Sequence, residues 1–492
     1  MMRTRNALKT LLLSMLLVLA VGMQAQTKIV VLTDTHVMAP ELLVKDGNAW
    51  QQYLAGDRKL VDYSQQLFDT MIDRLKTDIR PDIVCITGDL SKDGELVSHQ
   101  YVAAKLEQLR EAGIRVLVIP GNHDYGTTTA HYYDGDNTQP AETANMEQLA
   151  TIYEHFGYDS ASEREATTLT YACEPVEGLT VIGIDTGIYG QLSSTTLQWV
   201  CDKASAAYAA GNRVIALMHH ALIPHITGIE KIGRLMAVVQ NYEHVRNSLA
   251  NAGVSAVFTG HLHFGDIAQD FNEDLSVSIY DVSTAALASY PCSYRELTLS
   301  KDLQELQVST GYVTSLPSQA DFTSVARNRL RGNVESLIRS YTGDGNFITK
   351  GLINDAVELA ADAVQLYADG NEHLSSDAAD RLSTFNSMVS LASAFVDVEG
   401  KLSQLNLTMD DVNTMARSAL ENKTSCGIEG RESVTDDLSL TIPLRSQRKE
   451  ETGIRERPVS DDAAVWHTLQ GVPVEQPTHG LYIRNGKLVI VR

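Results

Sequence analysis

The sequence has few basic residues for its length, and this shortage excludes several classes of partner. Its 492 residues include 40 lysines and arginines against 62 aspartates and glutamates, which gives a formal net charge of -22. Without a basic field to offset phosphate repulsion, neither a nucleic-acid duplex nor an anionic membrane surface is an expected partner. An anionic substrate would have to be drawn in locally, by metal ions or by a small cluster of arginines and lysines.

Cysteine motifs and long apolar runs are also lacking. The five cysteines show no CxxC spacing, so the sequence predicts neither a zinc knuckle nor a dithiol redox motif. After residue 25 no apolar run is long enough to cross a bilayer. The chain also contains no internal repeat and no low-complexity tract.

The first 25 residues predict a cleavable signal peptide. Basic residues within the first nine positions precede the apolar run 11–21, and small residues follow at Gly22 and Ala25. This run is shorter than the roughly 20 residues that a membrane anchor needs. We therefore expect an exported protein, located in the periplasm, at the cell surface or outside the cell, with no transmembrane segment after cleavage.

Residues 26–315 have the pattern of an α/β domain. Short β-branched apolar runs alternate with amphipathic stretches, which predicts a mostly parallel or mixed sheet flanked by helices. Because these runs are almost continuously apolar, we expect the strands to be buried on both faces. The runs cover residues 28–33, 82–87, 115–119, 179–184, 213–218 and 254–259.

The rest of the chain differs in character. Residues 316–430 show only helical periods, which predicts a helical accessory domain. The segment 431–463 is interpreted as a linker, and 464–492 returns to strand character. Asn485-Gly486 between two apolar runs predicts a C-terminal β-hairpin tail. This tail is similar to the short β tails of exported Bacteroidetes proteins, and a small hairpin that pairs with the sheet is an equal alternative.

Five short polar motifs directly follow the apolar runs. Each motif alone is more often an ordinary turn, but together they favour one site, because neighbouring strands of an α/β sheet end at a common crevice. The motifs are Asp34-Thr35-His36, Gly88-Asp89, Gly121-Asn122-His123-Asp124, His219-His220 and Gly260-His261-Leu262-His263.

The residue types in these motifs suit a pair of transition-metal ions. Carboxylate oxygens, imidazole nitrogens and one amide oxygen, without thiolate, favour iron, manganese or zinc over calcium, magnesium or a structural zinc site. Two cations about 3.5 to 4 Å apart repel each other, so an anionic bridge is needed, and Asp89 is the candidate. The expected cofactors are two divalent or mixed-valence transition-metal ions.

The series DxH, GD, GNHD, H and GHxH resembles the calcineurin-like metallophosphoesterase superfamily. The run Gly88-Asp89-Leu90-Ser91-Lys92-Asp93-Gly94-Glu95 is similar to the class III cyclic-nucleotide and glycerophosphodiester phosphodiesterase branch. The resemblance covers about residues 27–313. It implies a two-sheet α/β/β/α sandwich, here followed by a helical domain and a short β tail.

The resemblance also implies a role for each residue of the motifs. His123 falls where the family places a proton donor, while His220, Asp124 and His225 receive no role. One metal would be held by Asp34, His36, Asp89 and His263, and the other by Asp89, Asn122, His219 and His261, with Asp89 as the bridge.

The implied activity is hydrolysis of a small phosphate ester, with phosphodiesters preferred. A hydroxide shared by the metals would attack phosphorus, and His123 would protonate the leaving alkoxide. A phosphomonoesterase such as a nucleotidase would use the same set of metal ligands and remains an alternative. A non-catalytic surface-binding protein on this fold is a further alternative, disfavoured because every expected ligand type is present. Protein partners are not predicted.

Overall fold

A computed structural model of the chain describes most of residues 26–447 and four strands beyond them. The predicted signal peptide and most of the predicted linker lie outside the described residues. The chain forms two compact units, Met1–Gln447 and Arg448–Arg492. Among the described helices, none combines the length and the apolar character needed to cross a membrane. The described residues are 26–159, 163–343, 350–370, 383–384, 387, 398–404, 406–421, 424–425, 432–433, 436–447, 466–467, 473–474, 480–484 and 487–491.

The strands of the first unit are numbered in chain order. They are β1 (Thr27–Leu32), β2 (Leu43–Lys45), β3 (Ile83–Thr87), β4 (Arg115–Ile119), β5 (His131–Asp134), β6 (Asn137–Pro140), β7 (Glu163–Arg164), β8 (Tyr171–Val176), β9 (Leu179–Ile184), β10 (Arg213–Met218), β11 (Val254–Thr259), β12 (Asp266–Phe271), β13 (Ser278–Ser283), β14 (Ser293–Leu299), β15 (Glu305–Tyr312), β16 (Thr424–Ser425), β17 (Glu432–Ser433) and β18 (Ser439–Pro443).

The α-helices of the first unit are numbered in the same way. They are α1 (Asn48–Gly56), α2 (Val61–Arg74), α3 (Leu96–Glu111), α4 (Met146–Ile152), α5 (Ser194–Ala209), α6 (Tyr242–Asn251), α7 (Phe322–Thr342), α8 (Lys350–Ala368), α9 (Val398–Ser403) and α10 (Met409–Glu421). Short 3₁₀ or π-helical turns cover Pro40–Leu42, Leu75–Ile79, Glu154–Tyr158, Ile229–Lys231 and Gly233–Leu235.

Two large sheets form the centre of this unit. The first has the order β18-β15-β14-β1-β3-β4 and the second the order β12-β13-β11-β10-β9-β8-β7. Strands β1, β3 and β4 run parallel in the first sheet, as do β9, β10, β11 and β13 in the second. The pairings that involve β14, β15 and β18 of the first sheet and β7, β8 and β12 of the second are antiparallel. The prediction of mixed sheets is therefore confirmed.

The sheets pack face to face, and helices cover their outer faces. Ile119 of β4 and Val181 of β9 belong to one buried apolar cluster, which also takes in α2 and α3 on the outer side of the first sheet. A second cluster joins α5 and α6 to the other side of the second sheet. Each fully buried aliphatic side chain in such a core contributes roughly 1.5 to 3 kcal/mol. This arrangement confirms the predicted α/β/β/α sandwich.

The structure differs from the sequence interpretation at residues 439–443. This stretch was assigned to the linker, but β18 pairs antiparallel with β15 and extends the first sheet by one strand. Ile442 of β18 is fully buried. Helices α7, α8 and α10 belong to the same compact unit as the sandwich, and the division into a catalytic and an accessory domain stays a prediction.

The second unit contains four strands, β19 (Trp466–His467), β20 (Pro473–Val474), β21 (Gly480–Arg484) and β22 (Lys487–Val491), in the order β20-β19-β21-β22. Strands β21 and β22 pair antiparallel, with Arg484 opposite Lys487. This pairing agrees with the predicted hairpin, although Asn485 and Gly486 themselves lie outside the described residues.

Candidate metal centre

The loops that follow β1, β3, β10 and β11 are joined by backbone hydrogen bonds at one edge of the sandwich. The amide of Asp34 donates to the carbonyl of Gly88 at 3.0 Å, and the amide of Gly260 donates to the carbonyl of His219 at 3.0 Å. Polar motifs from distant parts of the sequence are therefore held side by side. The expected convergence at the carboxyl ends of the strands is present.

The backbone at this edge adopts an unusual conformation. A positive φ is uncommon for residues other than glycine, costs of order 1 to 3 kcal/mol, and often accompanies a functional site. Of the seven predicted ligands, five have a φ between 41° and 66°: Asp34, His36, Asp89, His261 and His263.

Glycines in the motifs allow the loops to approach closely. A Cβ atom on Gly260 would lie 2.0 Å from Oγ1 of Thr33, and one on Gly121 would lie 2.3 Å from Oδ1 of Asp89. No side chain fits at either position. The glycines thus bring the backbone against the candidate ligands Asp34 and Asp89.

One group of possible ligand atoms comes from Asp34, His36 and His263. Nε2 of His263 lies 3.2 Å from Oδ1 of Asp34 and 3.3 Å from Nε2 of His36. Asp34 and His36 are fully buried, whereas the side chain of His263 is 26% exposed. Three ligand atoms of this kind, this close together, can hold a metal ion.

A second group lies next to the first and contains the remaining predicted ligands. Nε2 of His219 is 3.3 Å from Oδ2 of Asp89 and 3.0 Å from Oδ1 of Asn122. The same amide oxygen is 2.8 Å from Nδ1 of His261. Oδ2 of Asp89 is also 3.6 Å from Nε2 of His36. Asp89 therefore stands between the two groups, at the position predicted for a bridging carboxylate.

The first group of ligand atoms fits a cation. In this group Oδ1 of Asp34 has no hydrogen-bond partner among the described residues, an arrangement that is costly without a ligand. Burial, followed by the positive charge of Lys59, holds the pKa of His36 well below its usual value, so its imidazole is neutral. Neutral imidazole is the form that binds metal.

The two carboxylates are ionised. Burial alone would raise the pKa of Asp89, but the charges of His219 and His123 outweigh it and hold that pKa well below its usual range. The same attraction, against burial, raises the pKa of His219 to about 10. A metal ion and this proton compete for Nε2 of His219, so metal binding would release a proton.

Surrounding groups orient the candidate ligands. Oγ1 of Thr33 donates to Oδ2 of Asp34 at 2.7 Å, and Nδ1 of His219 donates to the carbonyl of Thr87 at 2.8 Å. Nε2 of His261 lies 2.9 Å from the carbonyl of Leu235, which fixes its proton and leaves Nδ1 as the ligand atom. Such supporting contacts set the tautomer and direction of each ligand.

His123 lies beside both groups without belonging to either. Its side chain is 32% exposed, its ring meets that of His36 edge-on at 5.1 Å, and its backbone amide donates to Oδ1 of Asp89 at 2.8 Å. Nδ1 donates to Oδ1 of Asp93 at 3.0 Å, which leaves Nε2 available. Burial disfavours the charged imidazole, but the charge of Asp89 and the hydrogen bond to Asp93 raise the pKa of His123 above its usual value.

Asp93 is a functional candidate that sequence reasoning did not assign. It is buried, and although burial raises its pKa, the hydrogen bond to His123 and the charge of Lys92 bring the pKa to about 2. It is therefore ionised and fixes the tautomer of His123. Its place in the Gly88–Glu95 run was a possible signal, but the contact to His123 spans 30 positions.

The three residues left without a role have supporting positions. Asp124 accepts hydrogen bonds from the amides of Gly121 at 2.8 Å and Ser91 at 2.9 Å, and so ties two motif loops together. Nδ1 of His220 lies 2.8 Å from Oγ1 of Thr186, and its ring lies 4.4 Å from that of His261. His225 lies between carboxylates of a different buried cluster.

Residues 27–265 match the sequence model of the family described as calcineurin-like phosphoesterase. The predicted resemblance is therefore confirmed over these residues, which make up just under half of the chain.

Two similar proteins are cyclic-nucleotide phosphodiesterases by name. A probable cyclic nucleotide phosphodiesterase of Rhodococcus erythropolis is 24% identical over 242 residues, which cover 48% of this chain and 65% of that protein. A cAMP/cGMP dual specificity phosphodiesterase of Mycobacterium tuberculosis is 23% identical over 255 residues, which cover 50% of this chain and 67% of that protein. The match thus spans about half of this chain and about two thirds of these relatives.

A solved dimetal phosphatase from Danio rerio is similar over 58% of this chain and 95% of its own, with 13% identity and a TM-score of 0.40.

Proposed function

We propose that the protein is a metal-dependent hydrolase of phosphate esters that acts on phosphodiesters. The observation that carries this proposal is the cluster of buried ligand atoms around Asp34 and Asp89, in which Oδ1 of Asp34 has no hydrogen-bond partner among the described residues. The match of residues 27–265 to the calcineurin-like phosphoesterase family supports it. The phosphodiester preference draws its support from the phosphodiesterase names of the two relatives.

The donor set fits two transition-metal ions of iron, manganese or zinc type. Asp34, His36 and His263 would hold one, Asn122, His219 and His261 the other, and Asp89 both. When bound, such ions offset negative charge on the phosphoryl oxygens and lower the pKa of a water molecule.

His123 would supply the proton that an alkoxide leaving group needs. Its raised pKa favours the protonated imidazole, and Asp93 holds Nδ1 so that a proton on Nε2 can be given to the leaving oxygen. A general acid of this kind contributes roughly 100- to 10,000-fold to the rate.

We also propose that the protein acts outside the cytoplasm, on the basis of the signal-peptide pattern in its first 25 residues. Amino-terminal sequencing of the mature protein from the periplasmic or secreted fraction tests this. A chain that begins near residues 23 to 27 supports export, and intact Met1 in a soluble cytosolic pool contradicts it.

The substrate class is tested by a hydrolysis panel on protein reconstituted with manganese, zinc or iron. The panel compares cyclic nucleotides, glycerophosphodiesters, nucleotides, and simple aryl mono- and diesters. We expect hydrolysis of diesters, abolished in Asp89→Asn. Hydrolysis of monoesters alone would contradict the diesterase proposal and support a phosphomonoesterase that uses the same metal ligands. Metal binding without hydrolysis of any ester would favour the non-catalytic alternative.

A further inference from the structure

Two buried lysines near the candidate metal centre differ in how their charge is balanced. Nζ of Lys92 contacts the carboxylates of Asp93 and Glu95 and lies 4.5 Å from the centre of the Tyr53 ring. The side chain of Lys59 is only 11% exposed, yet among the described residues its Nζ has one carboxylate neighbour, Oδ2 of Asp57 at 3.7 Å, and no hydrogen bond. The charge of Lys92 is neutralised by its two carboxylate neighbours. The N–H groups of the Lys59 ammonium can still donate hydrogen bonds to another anion.

The loop that carries Lys59 lies against the candidate metal centre. The amide of Leu60 donates to the carbonyl of Ala288 at 2.7 Å, and the amide of Ala288 donates to the carbonyl of Asp34 at 3.2 Å. The next residue, Ser289, places its hydroxyl 3.2 Å from Nδ1 of His263. Lys59 thus lies on the loop after α1, and the backbone of Ala288 links this loop by hydrogen bonds to the candidate metal ligand Asp34.

Lys59 stands on the side of the site where the predicted proton donor lies. Its partner Asp57 accepts a hydrogen bond from the hydroxyl of Tyr53, whose ring lies 4.5 Å from Nζ of Lys92. Lys92 in turn contacts Asp93, the carboxylate that holds the proton donor. In a chain with a net charge of -22, a local cation here would draw in an anionic ester.

We propose that Lys59 contacts the phosphate group of the substrate beside the metal centre. This deepens the proposed function and rests on it. A lysine ammonium is a suitable phosphate partner, because it offers three donors on one compact charge. The ion pair with Asp57 is longer than a hydrogen bond, so a phosphate oxygen can contact Nζ without displacing an established partner.

Helix α7, which lies outside the family-matched residues, holds this loop in place. Nη1 of Arg329 donates to the carbonyl of Lys59 at 3.3 Å, and Nη2 of the same residue donates to Asp62 at 2.8 Å. Nδ2 of Asn333 donates to the carbonyl of Arg58 at 2.9 Å. Phe322, at the start of α7, is fully buried against Tyr63 of α2. The helical segment therefore includes positioning residues for Lys59.

Calorimetric titration of inorganic phosphate into manganese-reconstituted protein tests the proposed contact. Lys59→Met should weaken phosphate binding by about 10- to 100-fold, since a hydrogen-bonded charge is lost, while the metal content stays unchanged. Lys59→Arg should keep most of the affinity. Lys301→Met, which removes an exposed lysine in the turn between β14 and β15, is the matched control and should bind as the wild type does.

The outcomes separate this proposal from the proposed function. If the wild type hydrolyses esters and Lys59→Met has the same phosphate affinity and the same KM, the proposed role of Lys59 is wrong. The proposed enzymatic function is not affected by that result. The wild type could instead bind phosphate, lose that binding in Lys59→Met, and hydrolyse no ester. That result would support the anion site and contradict the proposed enzymatic function. If both proposals hold, Lys59→Met raises KM for an anionic diester more than it lowers kcat.

A double-mutant cycle tests the contribution of α7. Arg329→Gln should weaken phosphate binding by about two- to tenfold in the wild type and cause no further loss in Lys59→Met, because Arg329 acts through Lys59. An equal loss in both backgrounds would show that Arg329 does not position Lys59.

Discussion

Two buried clusters of histidine and aspartate among the described residues differ in what their imidazole nitrogens face. At the candidate metal centre an imidazole faces another imidazole as well as a carboxylate, since Nε2 of His263 lies 3.3 Å from Nε2 of His36 and 3.2 Å from Oδ1 of Asp34. Around His225 each ring nitrogen faces a carboxylate. Its Nδ1 lies 3.5 Å from Asp266 and its Nε2 lies 3.3 Å from Asp281.

The carboxylates around His225 have further donors of their own. Asp281 accepts hydrogen bonds from the amides of Leu222 at 2.6 Å and Ile223 at 2.9 Å, and Asp266 accepts one from the hydroxyl of Tyr367 at 2.9 Å. Through these hydrogen bonds the cluster holds two elements against the second sheet: helix α8, and the segment that follows β10. Burial and residue type alone do not distinguish a ligand site from a structural ion cluster. The groups that face the imidazole nitrogens distinguish these two clusters.

The largest expected effect concerns the stability of the His225 cluster. His225→Gln removes the cation and leaves two buried carboxylates facing each other, which should lower the free energy of unfolding by about 3 to 5 kcal/mol. Denaturant unfolding measures this, with His244→Gln on the exposed face of α6 as the control. The metal content of folded His225→Gln should equal that of the wild type. Loss of metal in this variant would contradict the view that the His225 cluster is structural and separate from the metal centre.

The pH dependence of stability sharpens the same point. Burial disfavours protonated His225, but Asp281 and Asp266 raise its pKa to about 10. Because this pKa is raised on folding, the stabilisation is complete below about pH 6.5 and is lost as the pH rises towards 10. The difference in unfolding free energy between the wild type and His225→Gln should therefore shrink between pH 7 and pH 10. A constant difference would show that His225 is neutral in the folded protein.

The next effect concerns His123, which lies beside the metal centre and outside its ligand groups. His123→Ala should slow hydrolysis of esters with alkoxide leaving groups by about 100-fold or more, and activated aryl esters much less, because a good leaving group departs without a proton. Metal analysis of the same preparation should show little change. An equal loss on both substrate types would refute the proton-donor role.

A smaller effect is expected at Asp93, which acts through His123. Asp93→Asn keeps the shape of the side chain but removes the charge that fixes the tautomer of His123, so the rate with alkoxide esters should fall by about tenfold or more. The loss should largely disappear in a His123→Ala background, since the two residues work as a unit. Additive losses would place Asp93 in another role.

Local sequence predicted the motif loops well and the long-range contacts poorly. Glycines and polar residues after apolar runs are local signals, and the shared edge of neighbouring strands accounts for their convergence. Strand β18 was missed because its residues lie in a polar region, and it forms by pairing with the open edge of β15. The contacts of Asp93 with His123 and of His225 with Asp266 and Asp281 join residues that are distant in sequence, so a local pattern does not predict them.

Metal analysis of the purified protein and two variants tests the central claim most directly. The wild type should contain close to two equivalents of transition metal, and Asp89→Asn should lose metal at both positions because one carboxylate serves both ions. His225→Gln, compared under conditions where it is folded, should retain the wild-type content. A wild type that binds no transition metal, and gains no esterase activity with manganese, zinc or iron, would contradict the account.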